Sequence, residues 1–387
     1  MKRIDSIDFV RGLVMIIMAL DHTRDFIHMD SLTQDPLNLA TTTPLLFLTR
    51  WITHFCAPVF VFLSGTSAFI SMKNRNDLAA TRRFLISRGI WLVILEFTVI
   101  NFGLWYDLHF RILLFQVIAA IGLGFIVLSF LIKLRPGVIA AMGLIIIFGH
   151  NLFSLIPFRD DSVLKAVLSP LVNFNQYQIS QQFTFVIAYP FIPWFGIMLT
   201  GFAAGHLFGL PVEKRKKIFL GIGLAALAFF TVLRLINFYG DPSQWSSQKN
   251  GILTFLSFIN VSKYPPSLLF TLMTIGAMFL VFYLADGIQN KFTRIGSVYG
   301  RVPFFYYLVH LYLIHSVMLV IMFLQGFRWT DLSFAPFRFG RAQTGSGIEL
   351  WAVYLVWITI VAILYPLCKW YGKYKFAHKE KKWLRFL

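Results

Sequence analysis

The sequence predicts an all-α integral membrane protein: a polytopic helical bundle of about ten transmembrane helices, with both termini in the cytoplasm. Three observations predict it. The chain of 387 residues is 57% hydrophobic and only 13% charged, with mean hydropathy +0.70, whereas a soluble domain carries about 25% charged residues. Its apolar residues come in long unbroken runs, not in the alternation of an outer-membrane barrel. Its basic residues gather in every second loop, as the positive-inside rule expects of short cytoplasmic segments.

The apolar runs read as spans at roughly 8–28, 51–72, 84–106, 113–132, 136–156, 184–208, 217–238, 265–286, 302–325 and 350–370. With both ends inside, 23 of the 35 Lys and Arg fall on the cytoplasmic side, from Lys2 and Arg3 through the run at 214–217 to the tail. Asp25, Asp30, Asp35, Asp107, Asp160, Asp161, Asp241, Asp331 and Glu349 then fall outside. The reverse orientation would break the rule at almost every loop. The net charge of +18 is therefore a topology signal, and no nucleic-acid partner is expected. The first run does not read as a cleaved leader, because charges interrupt it and no small-residue cleavage site follows. Cys56 and Cys368 fall at opposite membrane surfaces, so no disulfide is expected. The whole of 1–387 reads as one transmembrane domain, ending in a basic, aromatic tail at 371–387 suited to an anionic leaflet. The longer outer loops, such as NFNQYQISQQ and GDPSQWSSQKN, mix amides with aromatics. That composition suits sugar binding, and equally an ordinary solvated loop with interfacial anchors.

The first span is the unusual one. Ile4–His28 is apolar enough to cross a bilayer, yet it holds Asp8, Arg11, Asp21, His22, Arg24 and Asp25. Ionisable groups at membrane depth are costly and mark function more often than packing. Asp8, Arg11, Met15, Met18, His22 and Asp25 recur at steps of three or four and share one helical face. Arg11 and His22 are about three turns apart on that face, roughly 16 Å. His54, near the outer end of the second span, and His310 in the ninth fall at comparable or somewhat deeper levels. Several histidines with carboxylates alongside suit a general base, with Asp21 or Asp25 to orient it. His310 and His315 point about 140° apart and are not expected to act together. Glu96 and Asn101 are also intramembrane; Glu96 either pairs with an arginine or stays protonated. No zinc-ligand spacing is present, so no metal is expected. At the inner mouth, Arg11 with its i,i+3 partner Asp8, together with Arg83, Arg88 and Arg301, could hold the phosphates of a cytoplasmic anion. A Gly-rich phosphate loop is absent, which argues against a nucleoside triphosphatase.

Three stretches carry a resemblance. IDSIDFVRGLVMIIMALDH, with Asp8, Arg11 and Gly12 as an Asp-x-x-Arg-Gly opening, is similar to the first helix of the transmembrane acyltransferase superfamily. APVFVFLSGTSAF and PFFYYLVHLYLIH resemble the heparan-α-glucosaminide N-acetyltransferase branch. That resemblance implies an enzyme using acetyl-CoA as co-substrate, with a cleft opening to the cytoplasm. It implies transfer of the acetyl group to an amino sugar or other glycan on the outer face, and a homodimer is plausible for the family. It further implies a bacterial member in the cytoplasmic membrane. His22 and His310 match polar positions of the family, and His54 stands where the lysosomal enzyme has Asp. The loop after the first helix, where the lysosomal enzyme keeps its catalytic histidine, is shorter here, so the base is His22 or His28. A proton-coupled transporter or flippase of a lipid or glycan intermediate is the alternative reading of the same intramembrane charges.

Overall fold

The computed structural model describes residues 4–155, 163–342, 345–378 and 380–385. Lys2, Arg3, Asp160, Asp161 and part of the basic tail lie outside them. Helices run in the order α1 (Asp5–Ile27), α2 (Pro44–Trp51), α3 (Cys56–Arg75), α4 (Leu78–Leu95) and α5 (Asn101–Trp105). After strand β1 (Ile112–Phe115) come α6 (Val117–Leu131), α7 (Pro136–Gly149) and α8 (Val163–Val172). Strands β2 (Asn175–Ser180) and β3 (Phe183–Ile187) precede α9 (Phe191–Ala204), α10 (Val212–Ile236) and α11 (Gly251–Ile259). The chain ends in α12 (Leu268–Ala285), α13 (Lys291–Gly300), α14 (Pro303–Leu324) and α15 (Leu350–Ala377).

Eight helices among the described residues are long and apolar enough to cross a membrane. Two expected spans are not among these eight: α1, whose charges set it apart, and α6, which has only 15 residues. The sequence predicts helix over the whole of 113–132, which holds α6, and over the whole of 184–208, which holds α9. Instead Ile112–Phe115 and Phe183–Ile187 are strands, paired in parallel with Leu113 opposite Phe185. Strand β2 adds to β3 in antiparallel. ILLF and FTFVI are short apolar, β-branched and aromatic runs that fit either a helix or a strand by hydropathy alone, and edge pairing decides for strand. At the other end, α15 runs through Ala377, seven residues beyond the expected end of the last span.

Helix α1 lies among α3, α12, α13, α14 and α15, and small residues allow it. A Cβ on Gly12 would lie 1.9 Å from the Gly296 carbonyl oxygen, and one on Gly300 would lie 1.8 Å from that of Asp8. The glycine after Arg11 thus lets α1 and α13 touch backbone to backbone, the small-residue packing favoured in lipid. Helices α3 and α9 pack the same way, through Gly65 against Met198 and Gly201 against Phe62. At the end of the bundle where α1 begins, Arg215 grips Asp286 through Nε at 2.5 Å and Nη2 at 2.8 Å, and Ser6 donates to the same carboxylate. At the far end, two buried arginines organise loops. Arg234 donates to the carbonyls of Ser243, Ser257, Phe258 and Asn260. Arg341 ties Ser346 to the carbonyl of His28 and the hydroxyl of Ser31. Cys56 and Cys368 are free thiols.

Candidate active site

The shared face of α1 survives in three dimensions. Its lower group is Arg11, which donates to the Gly300 carbonyl at 3.3 Å and to Ser67 Oγ at 3.0 Å, with Asp8 at 3.7 Å. Above it a cavity of about 290 Å³ opens between α1, α3, α4, α6 and α14. Arg11 and Arg88 lie on its wall, as do Ser64, Ser67 and Ser71, one polar stripe of α3. Its other walls are apolar, and it reaches Met18 and Tyr307. Those two residues stand one turn below His22 on α1 and His310 on α14.

His22 and His310 meet, with Nδ1 of the first 2.9 Å from Nε2 of the second and the rings stacked. His310 is fully buried, while His22 keeps some exposure. Their tautomers follow from one contact. His310 Nδ1 lies 3.1 Å from the Tyr306 carbonyl, which can only accept. His310 therefore carries its proton on Nδ1 and accepts at Nε2. With both rings neutral, His22 donates from Nδ1, and its Nε2 holds a lone pair. A histidine fixed in this tautomer by a second group is the arrangement of a general base. The two rings also share one depth, whereas the sequence suggested that His310 lies deeper. The reason is that α14 begins at Pro303, three residues beyond Gly300, which already packs against Asp8 and Gly12 inside the first span.

The carboxylates do not orient His22. Arg50 Nη1 lies 2.8 Å from both oxygens of Asp21, and Arg24 reaches Asp21 at 3.4 Å and Asp25 at 2.5 Å. Two guanidiniums claim both acids, a stronger contact than a neutral imidazole offers. Arg50 was missed in the sequence because it reads as a flank of the second span. Only its place one turn before His54 hinted otherwise. His54 is fully buried near Phe270, and neither ring nitrogen has a hydrogen-bond partner among the described residues. His28 caps α1 and bridges to Ile348, away from the pair. His315 bonds the Gly103 carbonyl and stacks on Tyr106, separate from His310 as its spacing predicts. Of the basic candidates, Arg11 and Arg88 line the cavity. Arg83 is exposed outside it, and Arg301 lies in separate clefts beside α13 and α15.

A buried histidine pair thus stands above a cavity that carries two arginines. The profile of the heparan-alpha-glucosaminide N-acetyltransferase catalytic family matches residues 3–242. The chain belongs to that family. No curated protein matches the chain. The family match takes in α1 through α10, and hence Arg11, His22, Arg50, His54 and Arg88; His310 lies beyond it. With that family membership and its own eight long apolar helices among the described residues, the chain is an integral membrane protein of the transferase class.

Proposed function

We propose that the chain is a membrane-embedded acyltransferase that takes an acetyl group from acetyl-CoA at the cytoplasmic face. It passes the group to an amino sugar or other glycan at the outer face. The observation that carries this reading is the alignment of cavity and base. The cavity starts at Arg11 and Arg88 and stops one turn below His22. Its cations suit the phosphates of a CoA. Its apolar walls and the stripe of Ser64, Ser67 and Ser71 suit an extended arm that carries amides. In this reading the arm threads upward and leaves its thioester beneath His22 Nε2. The acceptor enters from the opposite side, and His22 removes its proton as the nitrogen or hydroxyl attacks the thioester carbon. His310 holds the His22 tautomer and does not itself touch the acceptor. Histidine pairing replaces the carboxylate that commonly orients a catalytic imidazole, since Asp21 and Asp25 are held by arginine.

The test is calorimetric titration of CoA and acetyl-CoA into protein purified in detergent. Binding on the order of micromolar Kd, weakened by Arg11→Ala, supports the reading. Transfer of acetyl to glucosamine, lost in His22→Ala with CoA binding intact, completes it. A folded sample that binds neither CoA nor acetyl-CoA overturns it.

A further inference from the structure

A further ionisable group lies behind the cavity lining, and neither the base nor the phosphate-binding cations use it. Glu96 is fully buried where α4 widens into a π-helical segment, Glu96–Ile100, before α5. Such single widened turns concentrate at functional sites. Its Oε2 accepts the Ala119 backbone N–H at 2.9 Å, in the first turn of α6. Its Oε1 is buried without a hydrogen-bond partner. The Gln116 side chain and the Ile118 backbone N–H also face the carboxylate as donors, in looser geometry than the Ala119 contact. None of the described ion pairs involves Glu96. An isolated carboxylate without a cation is too costly at membrane depth, so the group rests as the neutral acid. Oε1–H is then a buried donor without an acceptor, a pattern that asks for an oxygen or sulfur from a ligand.

The cavity reaches the residues next to this point. Leu92, one turn before Glu96, lines it, as do Val117 and Ile118, which follow Gln116, and Tyr307 on α14. Depth can be set by register. Val99 meets Tyr312, Gly103 meets His315 and Tyr106 meets Ser316, so α14 and the α4–α5 helix run in the same direction. Seven residues back from Gly103 and His315, roughly 10 Å, Glu96 falls level with Leu308, beside Tyr307 and just below the histidine pair.

We propose that Glu96 is the acid of the transfer step, the residue that gives its proton to the departing thiolate. The inference rests on the acyl-CoA reading above and extends it. A donor arm that rises from below leaves its sulfur on the lower side of the thioester carbon, toward Glu96. The acceptor stands on the upper side, toward His22. As the acceptor nitrogen bonds to the acyl carbon, the carbon–sulfur bond breaks. The acceptor proton goes to His22 Nε2, and the Glu96 proton goes to sulfur, so CoA leaves as the free thiol. The His22 imidazolium then returns one proton to water, and Glu96 takes one up. The two proton transfers thus sit on opposite sides of the reacting carbon.

The experiment compares wild type with Glu96→Gln in detergent, with glucosamine as acceptor and two donors. Gln keeps an acceptor for the Ala119 N–H and loses only the transferable proton. With acetyl-CoA the variant is expected to lose roughly 10²–10³-fold in kcat, the range of a general acid, while its calorimetric Kd for CoA stays within about twofold. With 4-nitrophenyl thioacetate, whose thiolate leaves without a proton, the gap between wild type and variant is expected to close to within about threefold. A variant that keeps its acetyl-CoA kcat, or one equally slow with both donors, overturns the assignment to Glu96 alone. A wild-type protein that binds no CoA and transfers from neither donor overturns the acyltransferase reading, and this inference with it.

Discussion

At the scale of single residues, the histidine pair and the arginine-held acids make opposite predictions. His310 acts through His22, so His310→Ala is expected to lower kcat by about 10²-fold while CoA affinity, read by calorimetry, stays put. His310→Gln, which can still accept from His22 Nδ1 through its amide oxygen, should recover part of that loss. Asp21 is different. Removing it leaves Arg50 and Arg24 without their shared carboxylate at a buried site, which costs about 3–5 kcal/mol for pairs of this kind. Asp21→Ala should therefore lower the thermal midpoint of the purified protein, and should not selectively change kcat in the fraction that stays folded. Much of this site was legible in the sequence. Asp8, Arg11 and His22 declare themselves by spacing on one apolar face, and Arg11 with Asp8 pairs as the spacing says. Spacing within one helix carries no information about a residue on another helix. That is why the carboxylate partner of Arg50 and the meeting of His22 with His310 had to come from packing.

At the scale of elements, small residues decide which helices approach. Gly12→Ala would drive a methyl group into the Gly296 carbonyl, where only backbone can yield. Overpacking of this sort costs about 1–3 kcal/mol, and here it also pushes Arg11 away from Gly300. The variant is expected to unfold earlier and to bind CoA more weakly, and the two effects should appear together. Gly137→Ala serves as the control, because a methyl there meets nothing within 4 Å. Hydropathy located the apolar elements well, since each expected span contains a helix. It failed at 112–115 and 183–187, where the same apolar residues serve as strands. Nearly every residue of these runs is apolar, so the alternating burial of β3 leaves no trace in hydropathy, and the partners of β1 lie 72 positions away along the chain. In the polar loops around them, buried Arg234 and Arg341 gather carbonyls that loops otherwise leave to water.

At the scale of the whole molecule, orientation is the property that charge distribution addresses. If the cavity mouth at Arg11 faces the cytoplasm, a phosphatase fused after Leu387 is inactive in cells, while the same enzyme inserted at Ser246 in the Arg234 loop is active. The reverse result would reject the proposed direction of transfer. The Arg215–Asp286 clasp belongs to this scale as well, because it joins α10, α12 and α1 at the mouth side.

The short α6 has a consequence for the lipid around it. Its 15 residues span roughly 22 Å, against a hydrocarbon core of about 30 Å. Part of its surface, at Val127 and Phe130, is exposed, and the same helix forms one wall of the cavity. If α6 crosses the bilayer, lipids beside that wall shorten or tilt to meet it, and the bilayer is pinched where the proposed transfer takes place. The barrier between the two water phases is then thinnest along the route of the chemistry. A protein built this way should prefer thin membranes, with turnover in nanodiscs falling as acyl chains lengthen from 14 to about 20 carbons.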